Sequence, residues 1–203
     1  MFSVNIDKLI DVSSTELDTY KDLAENVIKE LNGEKTFAVI TGGMGAFKLA
    51  YCVHLMGKKV LFIDADISSD IFVGKYKLGK NIAGVMDFLR DVDKAGDIVC
   101  HTNKENFDVI FTGNIDGDSL NNDNELIMKG LIDSYSKIYD LVVVDSDISG
   151  IAAKYSSAAV IMVDENHYIE DEVENYTEKL EALGCNILGV VLNEWFRTIF
   201  KFS

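Results

Sequence analysis

Gly57-Lys-Lys-Val-Leu-Phe-Ile-Asp-Ala-Asp66 is the stretch whose reading decides the fold. A glycine stops whatever precedes it, an unbroken apolar run follows, and two carboxylates close the run. Continuous Val, Leu, Ile and Phe without polar alternation marks a strand buried on both faces, as in a parallel sheet covered by helices. Residues 36–40, 141–145 and 187–192 read the same way, and 107–111 and 159–163 complete the set. Helical periodicity fills the gaps over 17–31, 46–56, 125–138 and 170–183. Asn32-Gly33 is a stop signal for the first of these helices, and Gly57 and Gly184 stop others just before strands. Strand, helix, strand in repetition predicts an α/β fold with a doubly wound, mostly parallel, Rossmann-like sheet. Ligands of such sheets sit outside the carboxyl ends of the strands, so those ends are where function is sought.

The chain has 203 residues, 48% hydrophobic and 26% charged, which is enough for a packed core and argues against disorder. We read 1–203 as a single domain: an N-terminal helical segment over 1–33, an α/β core over 34–195 and a tail over 196–203. The longest expected loop is the Asn/Asp-rich stretch 114–124. A net charge of -15 argues against unaided binding to nucleic acid or to an anionic membrane, since both need clustered Lys and Arg. Cys52, Cys100 and Cys185 are far apart and form no CxxC pair, which points to reduced thiols and not to zinc or a disulfide frame. No signal peptide and no apolar stretch of ~18–20 residues is visible. The expected location is the cytoplasm, with a membrane reached only through a partner.

Three carboxylates stand where strands are expected to end. Asp64 and Asp66 close one strand and Asp145 closes another. A hydrophobic strand ending in Asp is what a Walker B element needs, because that carboxylate meets Mg²⁺ or its waters. The first strand runs into Thr41-Gly42-Gly43-Met44-Gly45-Ala46-Phe47-Lys48-Leu49. A P-loop requires Gly-x-x-x-x-Gly-Lys-[Ser/Thr], so that backbone N–H groups wrap phosphates and the hydroxyl binds Mg²⁺. Read from Gly42, Phe47 takes the place of the second glycine and Leu49 that of the hydroxyl. Lys48 lies nine positions before Gly57, room for only about 13 Å of helix. A helix begun near Ala46 repairs the length. It aligns Ala46, Leu49, Ala50, Val53 and Met56 on one face and puts Lys48 about 140° away, toward solvent. The glycine run is thus read as a tight strand-to-helix turn ahead of a phosphate cradle.

These motifs together resemble the cytoplasmic tyrosine kinase domains of bacterial capsule and exopolysaccharide synthesis, within the wider MinD/ParA group of P-loop ATPases. The resemblance spans about Asp18 to Trp195. Besides 57–66 it rests on Tyr139-Asp140 before the 141–145 strand and on Asn81-Ile-Ala-Gly-Val-Met-Asp-Phe-Leu89. It rests also on Phe107-Asp-Val-Ile-Phe-Thr-Gly113 with Asn122 and Glu125-Leu-Ile127, and on Leu188-Gly-Val-Val-Leu-Asn193. It implies a P-loop NTPase fold and a nucleotide site. In that site Asp64, Asp66 and Asp145 are the Walker-type carboxylates, Asp64 and Asp145 are the Mg²⁺ ligands, Gly42, Gly43, Gly45 and Lys48 hold phosphate, and Asn193 approaches adenine.

The departures from the family pattern are as specific as the matches. The Pro-Pro after the Walker B Asp is replaced by Ile148-Ser149-Gly150, and the stretch after it is several residues short. The Arg expected after Asp66 is Ser68 or Ser69. The ring-forming Glu-x-x-Arg-x-x-Arg motif is met by Asp18, Lys21 and Ala24, and Lys does not replace a bidentate Arg. The C-terminal tyrosine cluster is missing, since 196–203 holds no Tyr.

Weaker signals are read as structural. His54, His101 and His167 have no metal-ligand spacing. Asn114, Asp116, Asp118 and Glu125 echo an EF-hand loop, but its glycine is at the wrong place and a strand precedes it. The carboxylates of 164–174 suit a solvated helix start. Trp195, Phe196, Phe200 and Phe202 form an aromatic tail expected to pack back on the domain.

The leading expectation is a degenerate relative of the capsular tyrosine kinases, a regulatory or scaffold subunit with a protein partner such as a membrane polysaccharide co-polymerase. It would take no cofactor and would be a monomer or small homo-oligomer. The alternatives are an active ATP- and Mg²⁺-dependent tyrosine kinase or ATPase with a divergent loop, and a MinD/ParA-like positioning or pilus-assembly pseudo-ATPase. Asp64, Asp66 and Asp145 are expected to converge. Without a neutralising cation or lysine, each should turn to solvent, find a donor or hold a cation.

Overall fold

The computed structural model describes residues 2–10, 12–41, 43–68, 72, 82–114, 124–193 and 198–202. Its strands are β1 (Phe2–Val4), β2 (Thr36–Ile40), β3 (Val60–Ala65), β4 (Val99–Thr102), β5 (Phe107–Ile110), β6 (Leu141–Ser146), β7 (Ala158–Asp164), β8 (Ile187–Asn193) and β9 (Thr198–Phe202). They form one sheet in the order β1-β4-β5-β3-β6-β2-β7-β8-β9. The centre, β5-β3-β6-β2-β7-β8, is parallel throughout. Antiparallel pairing is confined to β4 with β5 and β8 with β9. This is the expected doubly wound α/β fold. Strands β2, β3, β5 and β6 are buried at every residue, which is why they read as solid apolar runs.

Helices cover both faces. Helices α1 (Ser14–Glu30) and α2 (Met44–Leu55) cover one, while α3 (Val85–Arg90), α4 (Glu125–Tyr135) and α5 (Glu170–Ala182) lie on the other. α1 opens on Ser13, whose Oγ accepts the Glu16 N–H at 3.2 Å, a cap worth about 1 kcal/mol. It ends as read, with Asn32 and Gly33 both at positive φ.

α2 corrects the single-face reading. Gly45, Ala46, Phe47, Leu49, Ala50, Cys52 and Val53 are all buried, whereas Met56 is 38% exposed. The cause is α1. It lies over the outer side of α2, so this helix is packed between sheet and helix and needs apolar residues nearly all round. Phe47 sits within an aromatic cluster, its ring 5.1 Å from Phe62, 5.4 Å from Phe72 and 5.6 Å from Phe107.

Three strands had no counterpart in the sequence reading: β1, β4 and β9. The tail joins the sheet through β9, pairing Asn193 with Thr198 and Gly189 with Phe202. Most of the 114–124 stretch, with Asp116 and Asp118, lies outside the described residues, as do Trp195 and Phe196. No helix among the described residues is long and apolar enough to cross a membrane.

Candidate functional site

β3 and β6 are neighbours in register, so Asp64 stands directly beside Asp145 and Ala65 beside Ser146. Asp66 and Asp147 follow at the same carboxyl edge. The expected convergence of Asp64, Asp66 and Asp145 is what the register produces. All four carboxylates are buried.

Each has found a donor. Asp64 Oδ2 accepts the Thr112 hydroxyl at 2.6 Å. Asp66 Oδ1 accepts both the N–H and the hydroxyl of Ser68, and Asp147 Oδ1 does the same with Ser149. The two strand ends thus share the pattern Asp-x-Asp-Ile-Ser, 64–68 and 145–149. Burial is the largest influence on Asp64 and pushes its carboxyl up to about 7, against the Thr112 hydrogen bonds and with help from the charge on Asp66. Among the described residues, no three His, Cys, Asp or Glu side chains are grouped to hold a metal ion.

Asp145 reaches sideways. Its Oδ1 accepts the Gly43 N–H at 3.2 Å. Gly43 is the residue just before α2 and has φ +48. The whole connection from Ile40 to Met44 is residues 41–43. Thr41, at φ +58, donates its N–H to Ser146 O at 2.9 Å, and its hydroxyl reaches Met162 O at 2.5 Å. The turn is therefore stitched to β6 and β7. The Gly43 N–H is engaged by Asp145.

Of the remaining phosphate candidates, Gly45 is packed and Lys48 is paired. Gly45 is buried, and a Cβ placed there would come within 2.8 Å of Met162 Sδ and 3.1 Å of Tyr20 Oη. It is a close-packing position between α2, α1 and β7. Lys48 does not point to solvent as its helical angle predicted. It forms an ion pair with Glu16 of α1, with its side chain 22% exposed. The angle was right, but α1 occupies the space and supplies the carboxylate. Gly42 lies outside the described residues, as does the side chain of Asn193. The Asn193 backbone sits at the carboxyl end of β8 opposite Asp164.

The sequence reading missed how the Asn-x-x-Gly motif is used. Val85 and Met86 donate their N–H groups to Phe111 O and Thr112 O, both at 2.9 Å. A Cβ on Gly84 would lie 2.1 Å from Phe111 O and 2.5 Å from Gly113 N. Only glycine permits this approach. It places α3 against the end of β5 and sets Thr112 over Asp64. It also missed the clasp between α4 and the turn after β6, where Glu125 takes Lys154 at 3.0 Å and the Tyr155 hydroxyl. Both partners hold the Glu125 carboxyl below its usual range.

No family model matches the chain. The tyrosine-protein kinase CpsD of Streptococcus agalactiae is 26% identical over 180 residues, covering 86% of this chain and 75% of that protein. The kinase domain of the Escherichia coli tyrosine kinase ETK superposes with a TM-score of 0.75 at 22% identity, over 92% of this chain and 80% of that one. The septum site-determining protein MinD from Pyrococcus horikoshii, complexed with Mg-ADP, superposes with a TM-score of 0.55 at 18% identity, over 78% and 70%. The chain is thus similar in sequence to the bacterial capsular tyrosine kinases, and its fold is one shared with their kinase domains and with MinD.

Proposed function

We propose that this protein is a degenerate member of that family. It would neither bind Mg·ATP in the P-loop manner nor transfer phosphate, and it would serve capsule or exopolysaccharide synthesis as a regulatory or scaffold subunit. The observation that carries the reading is the three-residue connection from β2 to α2. Phosphoryl transfer rests on positioning and on neutralising the phosphates. Here the loop N–H of Gly43 is bonded to Asp145, Phe47 is core, and Lys48 is spent on Glu16. The residues present do not fit a wrapped triphosphate. Leu49 is also buried and has no hydroxyl to offer Mg²⁺.

Its partner on this reading is a protein, such as a membrane polysaccharide co-polymerase. On this reading the protein is cytoplasmic and reaches the membrane through that partner.

The test is calorimetric titration with Mg·ATP, with phosphotyrosine mass spectrometry on protein made without other kinases. The expected result is no micromolar binding and no modified tyrosine. Binding that vanishes in Lys48→Met would overturn the reading in favour of an active kinase or ATPase. The convergence of Asp64, Asp66 and Asp145 at one edge is what favours that second reading.

A further inference from the structure

Three strands at one side of the sheet place a serine, a histidine and an aspartate in one row. Ser3 of β1 pairs with His101 of β4, and His101 pairs with Asp108 of β5. Residues directly opposed in adjoining strands carry their side chains on the same face. Val4, next along β1, packs on the core face shared with α1 and α2. Ser3 therefore stands on the other face, and it is exposed.

His101 Nδ1 lies 2.7 Å from Asp108 Oδ1. The other carboxylate oxygen accepts the Tyr139 hydroxyl at 2.7 Å. Asp108 is buried, so its carboxylate is clamped from two sides. An ionised carboxylate only accepts, so in the neutral ring Nδ1–H faces Asp108 and Nε2 holds the lone pair. The two ring nitrogens point in widely divergent directions. The Nε2 edge is not taken by Asp108, and Ser3 is level with His101 on the neighbouring strand. The His101 side chain keeps 42% of its surface exposed, so this edge is reachable. Asp108 is level with Leu61 of β3, three residues or about 10 Å of strand short of Asp64. The row is thus separate from the carboxylates at the strand ends.

We propose that Ser3, His101 and Asp108 form an acyl-transfer centre for small activated esters. His101 Nε2 takes the proton of Ser3 Oγ as Oγ bonds to the ester carbonyl carbon. The tetrahedral adduct collapses, the carbon–oxygen bond to the alcohol breaks, and the alcohol leaves with that proton. Water repeats the exchange on the acyl-serine through Nε2 and releases the carboxylic acid. Asp108 holds the tautomer and offsets the imidazolium charge, and Tyr139 is a positioning residue that holds Asp108. β1 is the outer strand among the described residues, so its outward N–H groups are open to an oxyanion. The row lies open to solvent, which restricts it to small acyl groups.

The experiment uses the full chain, a fluorophosphonate probe and p-nitrophenyl acetate. One adduct per chain is expected, placed on Ser3 by peptide mass spectrometry. Ester hydrolysis should fall roughly 100-fold or more in Ser3→Ala and in His101→Gln. Tyr139→Phe should lower kcat with KM unchanged. Ser3 is exposed, so Ser3→Ala tests the chemistry without disturbing the fold. Absence of a Ser3 adduct under conditions that label a known serine esterase overturns the proposal. Hydrolysis unchanged in Ser3→Ala overturns it as well.

Discussion

The Gly43 N–H donates to Asp145 across 3.2 Å, joining the turn before α2 to the end of β6. In the resemblance that N–H would face a phosphate and that carboxylate a metal ion. Here the N–H donates to one oxygen of that carboxylate. The pair therefore has a stability role that a nucleotide-dependent site would not need. Asp145→Ala leaves the Gly43 N–H without this acceptor and should cost about 1–3 kcal/mol. Asp145→Asn keeps an acceptor and removes a charge beside Asp64, so it should cost under about 1 kcal/mol. Urea denaturation of both variants measures the difference; equal losses would mean that charge, not the hydrogen bond, is what Asp145 supplies.

Asp64 sets the pH dependence at the same edge. Its carboxyl is raised to about 7 in the folded chain, against about 3.9 when unfolded. The folded state then holds the proton more tightly than the unfolded one. Stability from this group is full below about pH 4, declines as pH rises toward 7, and is level above that. Asp64→Asn removes the dependence and should be more stable than the parent at pH 8, by a few kcal/mol at most. Chemical denaturation at pH 5 and pH 8 is the measurement. A parent protein with a flat difference between those two values would refute the shift.

The strands named from the sequence were legible because a parallel strand covered by helices on both faces, as β2, β3 and β6 are, reads as an unbroken apolar run. β1, β4 and β9 escaped for the opposite reason: they lie at or near the sheet's edges and carry polar or short runs, such as Val99-Cys-His-Thr102. The carboxylates at the strand ends were legible too, since register follows once the strands are known. What sequence could not supply was the neighbour across space. The helical angle of Lys48 was correct, yet nothing in 41–49 says that Glu16 lies opposite. Likewise Asp108 reads as an ordinary strand residue until His101 and Tyr139 are brought to it. Phe47 illustrates the converse, because its misfit to a P-loop was visible and its aromatic cluster explains it.

Gly84 offers a check on the packing of α3 against β5. A methyl group there would meet Phe111 O at 2.1 Å and Gly113 N at 2.5 Å. Both are backbone atoms and cannot rotate away. Gly84→Ala must push α3 off the strand end and break the Val85 and Met86 hydrogen bonds. A loss on the order of 2–4 kcal/mol is expected, with a lower Tm. Because Thr112 also holds Asp64, the same variant should alter the pH profile described above. A stability within 0.5 kcal/mol of the parent (about the scatter of a surface change) would contradict the close approach.

Association follows from α1. The ring motif of the resemblance would place its last arginine at position 24, but Ala24 is fully buried between α1 and the core. Lys21 is half-buried, and Asp18 is exposed. The three positions do not make one continuous polar line on the surface. A ring contact built on paired guanidinium and carboxylate groups loses about 1.5–3 kcal/mol for each such hydrogen bond removed. Light scattering at micromolar concentration should therefore give a monomer or a small oligomer. Restoring the motif's last arginine by Ala24→Arg should not build a ring. It should instead force a charged side chain into an apolar contact and destabilise the chain by several kcal/mol. A stable many-subunit ring in the parent, or one gained by Ala24→Arg with no loss in Tm, would show that α1 packs differently from what Ala24, Leu23 and Val27 define.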